Sequence, residues 1–361
     1  MGPDGSTLSA GNAAAKAGAA ETIGKGSTSV AMLLPLSAPG ARGESARNMK
    51  DAAKLAVEDL GSDLLTVTIH DTAGQDDRAR KLALSAVNSK AALVVGPVET
   101  QAAQQLAAIK GKRTPVLALA DNFTGGTGVF AVPLSEAESA AAGAAALADQ
   151  GARKFALVVP EGPAGDAVEK RVAISVKNVG AKLAVTLRYG PTTSPGLRVV
   201  DDLAALGLSL DAIVLAAGEG DPTPLAAALR AKGLLKGSAR LVGTSQWMLH
   251  DLSDPALDGA MIAALDPFEQ VPVAARFEAK YGRAYTVEAA YAYDTIALAA
   301  GIASALGPNG ITGATLETPT GFRGSTGVFR FRSDGSSERK LSLFSLSKGQ
   351  PKLVRKAKAT F

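Results

Sequence analysis

The sequence predicts an α/β protein made of two doubly wound, Rossmann-like lobes that are joined by a multi-strand hinge. Apolar strands alternate with helical patterns from residue 30 to residue 119, and the same alternation starts again near residue 135. The stretch between them, DNFTGGTGVF, is rich in Gly and Thr and interrupts the pattern. Such alternation forms right-handed crossovers within one parallel sheet, so the repeat predicts two sheets with a cleft at their junction.

The first strand–loop–helix–strand unit runs from Val30 to Asp71. Its strand, VAMLLPL, is a continuous apolar run, which is typical of a strand covered by helices on both faces. In the following helix, apolar and small residues recur at the three-four spacing of one buried face. The loop from Pro35 to Gly43 contains neither G-x-G-x-x-G nor G-x-x-x-x-G-K-[ST], and its two prolines remove backbone donors. The unit therefore predicts a ligand other than a nucleotide.

The other strands divide between the two halves of the chain. The first half adds predicted strands at 65–69, 91–95 and 115–119, and the second half has 155–159, 183–187, 212–215 and 241–243. The last hundred residues predict a strand at 261–265, helices at 271–281 and 287–306, and a hairpin of 327–332 with 341–346.

These elements predict three segments of domain structure. Residues 1–27 are low in complexity and predict a flexible tether. Residues 28–122 with 259–320 are expected to form the first lobe, and 123–258 with 321–361 the second. A chain that crosses between lobes in this way leaves a hinge of about three strands, the geometry for closure on a ligand.

Composition excludes several classes of function. The 361 residues include no Cys, which excludes disulfides, thiolate zinc sites and cysteine nucleophiles. The net charge is +4 without a basic-aromatic stripe, so we expect no nucleic-acid partner. Neither His70 nor His250 has a partner at metal-ligand spacing, and G-x-S-x-G is absent, so we expect no metal, no cofactor and no enzyme. Paired acids at strand ends leave a carboxylate-based catalytic role open.

The start of the chain bears on location. No signal peptide or membrane span is visible, and a Met directly before a tether is natural where an export signal has been removed. We therefore hypothesise an exported protein, held at the membrane only through a lipid anchor on a removed cysteine. A transcription regulator on this fold would need a helix-turn-helix before the first lobe, which the tether cannot form.

Four segments in order resemble the type I periplasmic solute-binding proteins, near the leucine/isoleucine/valine-binding branch. They are VAMLLPLSAPGARGESARNMKDAAKLAVEDL, IHDTAGQDDRARKLA, LVVGPVETQAAQQLA with TPVLALADN, and AYAYDTIALAAGI. The resemblance covers essentially all of the chain after the tether. It implies the receptor component of an ABC importer, which closes on a small polar ligand (an amino acid, amide or related solute) and presents it to a permease.

A narrower resemblance implies an alternative function. LVGTSQWMLHDLSDPALDGAMIAALDP, RFEAKYGRAYTVEAAYAYDTIALA and GFRGSTGVFRFRSDGSSERKLSLFSL resemble an alphaproteobacterial branch described as penicillin-binding protein activators. That branch implies a lipoprotein that acts in envelope assembly through contacts with a peptidoglycan synthase.

The resemblance to the amino-acid binders also implies a site, which this sequence matches in part. The turn that holds the ligand carboxylate corresponds to 97–101, and the next such turn to 120–123. The tyrosine expected after the fifth strand is replaced by the region of Glu161, and no acid stands near Trp247, where the family binds the ammonium group. A standard amino-acid clamp is therefore not expected. The candidate ligand-binding residues are Ser37, Glu99, Thr100, Asp121, Asn122, Glu161, Glu219, Gln246 and Trp247.

Acidic residues follow several predicted strands directly. Glu99, Asp121, Glu161, Glu219 and Asp221 all stand just past strand carboxyl ends. If several face inward, the cleft is acidic and favours a cationic or polyhydroxylated ligand. The alternative interpretation is that they cap helix N-termini and meet water.

Trp247, Tyr293 and Asp294 could each contact a ligand or support the structure. Trp247, the only tryptophan, either stacks on a ligand or anchors the packing at the lobe boundary. Tyr293 with Asp294 is expected to support the hinge in preference to binding a ligand.

Overall fold

A computed structural model describes residues 18–109, 114–190, 195–235 and 239–361. It confirms the predicted α/β fold with two mainly parallel sheets. The first sheet has six strands in the order β1-β3-β2-β4-β5-β6, of which only β1 is antiparallel to its neighbour. The strands are β1 (Glu21–Ile23), β2 (Thr28–Leu34), β3 (Leu65–Asp71), β4 (Leu93–Val95), β5 (Val116–Ala118) and β6 (Val129–Ala131), and the helices between them are α1 (Gly40–Ala56), α2 (Asp76–Asn88) and α3 (Thr100–Ala107).

The second sheet has seven strands in the order β16-β15-β11-β10-β9-β7-β8. Its strands are β7 (Lys154–Pro160), β8 (Lys182–Tyr189), β9 (Ala212–Leu215), β10 (Arg240–Gly243), β11 (Met261–Ala264), β15 (Ser342–Ser347) and β16 (Gln350–Arg355). Its helices are α4 (Glu136–Asp149), α5 (Pro163–Asn178), α6 (Pro195–Ala205) and α7 (Thr223–Ala231).

The chain between β11 and β15 returns to the first lobe. It forms α8 (Pro267–Tyr281), α9 (Val287–Leu306), α10 (Gly313–Leu316) and a small antiparallel sheet of β12 (Phe322–Gly324), β13 (Gly327–Phe331) and β14 (Ser337–Arg339). Phe331 packs against Phe130 of β6, with ring centroids 5.2 Å apart, and both belong to the core of the first lobe.

The chain therefore crosses between the lobes at residues 132–135, 265–266 and 340–341. These crossings differ from the predicted lobe limits. Strand β6 lies beyond residue 122 yet joins the first sheet, β11 joins the second, and β12 to β14 pack on the first lobe. Strand patterns reveal where a strand runs, whereas the sheet that it joins depends on contacts far away in sequence.

Two local predictions were wrong. Strand β1 lies inside the segment predicted as a tether, where it pairs with β3 and Glu21 forms ion pairs with Lys50 and Lys54 of α1. Residues 1–17 of that segment lie outside the described residues. The expected hairpin of 327–332 with 341–346 does not form, because β14 arises within the presumed turn and pairs with β13, while β15 pairs with β11.

Helix α9 is the central helix of the first lobe. Among the described residues it is the one helix long and apolar enough to cross a membrane, but 72% of the apolar window is buried inside the protein. It contacts α1 along its length, and Ile296 and Ala299 are fully buried. This burial identifies α9 as a core helix.

Buried polar contacts surround the crossings. The Tyr291 hydroxyl accepts a hydrogen bond from the Leu134 N–H over 2.9 Å, which ties α9 to the first crossing. Asp294 accepts hydrogen bonds from Ser325 N–H, Thr326 N–H and the Thr326 hydroxyl at 2.6–2.9 Å. The Tyr293 hydroxyl instead donates to Asp59 within the first lobe. The partners of Asp294 lie between β12 and β13 and not at a crossing, so hinge support by Asp294 stays a prediction. Tyr291 contacts the first crossing in place of Tyr293.

Candidate functional site

Two cavities with acidic residues in their walls adjoin where the carboxyl ends of the two sheets face each other. The first-lobe cavity, of about 610 Å³, is lined by Pro35, Ala41, Arg42, Ser45, Ala46, Met49, Asp76, Val98, Glu99, Thr100, Gln101, Leu119, Asp121 and Glu288. The second-lobe cavity, of about 540 Å³, is lined by Asn122, Glu136, Pro160, Ala164, Tyr189, Gly190, Leu197, Ala217, Gly218, Glu219, Gly220, Asp221, Pro224, Leu225 and Gln246. Adjacent residues Asp121 and Asn122 line one cavity each, so the cavities meet at this turn.

Strand topology explains why polar residues gather here. Parallel strands end at a common edge, and the loop that follows each strand carries the side chains. In the first sheet, β4 leads to Glu99 and β5 to Asp121. In the second sheet, β9 leads to Glu219 and β10 to Gln246.

Glu99 is the most deeply buried acid of the first-lobe cavity, with 2% of its surface exposed. Its Oε1 accepts a hydrogen bond from the Thr72 hydroxyl over 2.5 Å and lies 3.6 Å from Nη2 of Arg42. Its Oε2 is buried and has no hydrogen-bond partner. Desolvation raises the pKa of Glu99, although the Thr72 hydrogen bond and Arg42 oppose the shift. Glu99 thus lines the cavity and has one carboxylate oxygen without a donor.

Asp121 lies at the junction of the two cavities. Desolvation raises its pKa, and the charges of Glu288 and Glu219 raise it further. Glu288 belongs to the first lobe and Glu219 to the second, so carboxylates of both lobes approach each other around Asp121. Thr100 stabilises this turn, because its hydroxyl donates to the Asp121 carbonyl over 2.9 Å.

Glu136 is the buried acid of the second-lobe cavity, and sequence reasoning missed it. Its Oε1 accepts hydrogen bonds from Gly218 N–H over 3.1 Å and from the Thr244 hydroxyl over 3.0 Å. Desolvation raises its pKa. The one signal in the sequence is the predicted helix cap at Ser135, which the structure confirms because Ser135 Oγ accepts from Glu138 N–H. Glu136 lies in the first turn of this helix, α4, and lines the second-lobe cavity.

Tyr189 was also missed. It stands at the end of β8 and lines the second-lobe cavity, and its hydroxyl donates to the Ala216 carbonyl over 2.9 Å. Desolvation, with the nearby Glu136 charge, raises the pKa of the phenol. The sequence comparison expected a tyrosine after β7, where Glu161 stands, and so overlooked the one that follows on the next strand.

The predicted residues divide into those that line the cavities and those that do not. The structure brings together Glu99, Thr100 and Asp121 on the first lobe side, with Asn122, Glu219 and Gln246 on the second. Arg42, Glu288 and Asp76 are further lining residues that were not predicted.

Ser37, Glu161 and Trp247 lie outside both linings. The Ser37 amide donates a hydrogen bond to Asp71, which also accepts one from the Ala73 amide. Ser37 and Asp71 therefore stabilise the loops that follow β2 and β3. Glu161 is exposed, and its amide donates to the Tyr189 carbonyl. Trp247 is fully buried in the core of the second lobe, which makes the ligand-stacking prediction wrong and favours the packing interpretation.

Comparison with known proteins defines the class. The model of the periplasmic binding protein family matches residues 27–351, so the chain belongs to this family. Its members are solute-binding proteins located outside the cytoplasm. A comparison with curated proteins finds no match.

Three solved structures illustrate the fold. A branched-chain amino acid ABC transporter ligand-binding protein of Burkholderia xenovorans LB400 is 16% identical, with a TM-score of 0.71 over 91% of this chain and 95% of that chain. An ABC transporter substrate-binding protein of Desulfitobacterium hafniense in complex with Leu is 16% identical, with a TM-score of 0.63 over 90% and 99%. Full-length LpoA of Haemophilus influenzae is 15% identical, with a TM-score of 0.67 over 92% of this chain and 59% of LpoA. At these identities the likenesses show the fold alone.

Proposed function

We propose that this protein is the solute receptor of an ABC importer and that it closes its two lobes on a small polar solute. The observation that carries this proposal is the pair of cavities, each lined by several polar side chains, that meet at Asp121 and Asn122. A small-molecule site is a concave surface with a few convergent polar groups, and these cavities have both properties.

The hinge supports closure. Three crossings join the lobes, and each is short, so rotation of one lobe against the other requires backbone changes at few residues. A solute that contacts both walls stabilises the closed form, because it interacts more strongly with that form than with the open one. The closed protein then presents the solute to the permease.

The alternative is a lipoprotein that contacts a peptidoglycan synthase, as in the penicillin-binding protein activators. The likeness to LpoA is compatible with it. The buried, unpartnered Oε2 of Glu99 favours the solute receptor, because an acceptor of this kind serves a small donor better than a flat protein surface. The lipid anchor stays a prediction.

A thermal-shift screen tests the proposal. The panel contains amino acids, amides, amines, sugars and aromatic acids. A solute at a hundredfold excess over its dissociation constant is expected to stabilise the protein by about 2.7 kcal/mol. Gln246→Ala should reduce the stabilisation because Gln246 lines the cavity, whereas Lys90→Ala should not. No shift with any solute, together with capture of a peptidoglycan synthase, would overturn the proposal.

A further inference from the structure

We propose that the solute is an organic cation with at least two amino groups and no carboxylate, such as a diamine or polyamine. This inference rests on the proposed function, since it names the class of solute for the same cleft. Its basis is the charge of the two walls together with one buried carboxylate oxygen that lacks a partner.

The walls are strongly acidic on both sides. The first-lobe cavity is lined by four acids, Asp76, Glu99, Asp121 and Glu288, and by a single basic residue, Arg42. The second-lobe cavity is lined by three acids, Glu136, Glu219 and Asp221, and none of its described lining residues is basic. A cation is therefore attracted by each wall, and an anion is repelled by each.

The burial and hydrogen bonding of Glu99 point to a ligand more directly than the charge of the cavity walls does. Glu99 lines the first-lobe cavity with 2% of its surface exposed, and its Oε2 is buried without a hydrogen-bond partner. Arg42 is 3.6 Å from the other oxygen, Oε1, and its side chain is about half exposed, so it leaves Oε2 unsatisfied. An ammonium group supplies three donors and the opposite charge, which is what this oxygen lacks.

The acids are divided between the lobes, which favours a solute with charge at both ends. One amino group would contact Glu99 or Asp121 on the first lobe, and the other would contact Glu136 or Glu219 on the second. Tyr189 lines the second-lobe cavity and adds an aromatic ring, a surface that attracts cations. A solute bound in this way joins the lobes, as the proposed closure requires.

Two other ligand classes fit less well. Among the residues that the structure describes, no three His, Cys, Asp or Glu side chains are placed to hold a metal ion. A free amino acid would place its carboxylate among these acids, which repel it. The N-terminus of α3 could attract a carboxylate, but Glu99 stands at that position.

Isothermal titration calorimetry at pH 8 with putrescine, cadaverine and spermidine tests the inference, with leucine, glutamate and CaCl₂ as comparisons. We expect the amines to bind, and leucine and glutamate to bind at least about tenfold more weakly, a difference of about 1.4 kcal/mol. Glu99→Gln and Glu136→Gln should each weaken amine binding about 10- to 100-fold, whereas Arg42→Gln should strengthen it. Glu58→Gln, the same change two residues past the end of α1, should leave the affinity within twofold.

Each outcome has a defined meaning. Tighter binding of leucine, glutamate or Ca²⁺ than of every amine overturns the inference and leaves the solute receptor in place. Weaker amine binding by Arg42→Gln also contradicts it, and this variant changes a side chain that is about half exposed. Binding of no compound in this set or in the thermal-shift panel overturns the inference and the proposed function together.

Discussion

The Thr72 hydroxyl donates a hydrogen bond to Glu99 Oε1 over 2.5 Å, which links the loops that follow β3 and β4. Strand β2 lies between these two strands in the sheet, so the contact spans its end. The contact fixes one oxygen of Glu99, and the other oxygen is buried without a hydrogen-bond partner. The first-lobe wall therefore has a carboxylate with a defined orientation.

Thr72→Val tests whether this contact positions Glu99. Valine keeps the shape but removes the donor, so the pKa of Glu99, already raised by burial, should rise further. A cation binds the ionised form, so amine affinity should fall about threefold to tenfold, and by more at pH 6 than at pH 8. Calorimetry at the two pH values measures this, and an equal loss at both would show that Thr72 acts on binding in another way.

Glu138 makes the stability of the lobe junction depend on pH. Its side chain is fully buried and accepts a hydrogen bond from Arg339 N–H. Burial raises its pKa to about 7, and the charge of Glu338 adds to this shift, whereas the charges of Arg339 and Arg171 oppose it. The folded state thus holds a proton that the unfolded state has released. The contribution of protonated Glu138 to the free energy of unfolding is fully present below about pH 4.5 and is lost as the pH rises towards 7.

Glu138→Gln should remove this dependence. Glutamine keeps the acceptor but has no proton to lose, so the difference in unfolding free energy between variant and wild type should grow in favour of the variant between pH 5 and 7.5. The growth over this pH range should reach roughly 2 kcal/mol, from the linkage between a pKa shift and stability. Urea unfolding at several pH values measures it, and parallel profiles of the two proteins would refute the assignment.

Gln246→Ala and Trp247→Phe distinguish the cavity wall from the core behind it. Gln246 lines the second-lobe cavity, so its loss should weaken solute binding about threefold to tenfold with little change in stability. Trp247 is fully buried and packs on Gly243, so Trp247→Phe should cost about 1–3 kcal/mol of stability and leave affinity within twofold. Calorimetry with urea unfolding separates the two effects, and a larger loss of affinity in Trp247→Phe would restore a ligand-contact role for this residue.

Asp294→Ala should destabilise the first lobe near the hinge. It leaves Ser325 N–H, Thr326 N–H and the Thr326 hydroxyl without their buried acceptor, which should cost about 3–5 kcal/mol. Asp334→Ala, which removes an exposed carboxylate from its own turn, should cost less. Thermal or urea unfolding measures both, and equal losses would mean that the Asp294 contacts add little.

Local patterns in the sequence predict the strands and their carboxyl ends, and this places Glu99, Thr100 and Asp121 at the cleft. Glu136 and Glu288 escape prediction because each begins a helix that reaches the cleft only after the chain has crossed from one lobe to the other. Trp247 was assigned to the cleft because its neighbours are polar, whereas the short 3₁₀ helix Ser245–Leu249 turns its ring into the core. The sheet membership of β6, β11 and β14 likewise depends on distant pairing.

The most direct test of the central claim is a structure of the complex with whichever solute stabilises the protein most in the thermal-shift screen. We expect the solute between the lobes, in contact with Glu99 or Asp121 on one side and with Glu136 or Gln246 on the other. A solute bound to one lobe only, or outside the cleft, would contradict the claim.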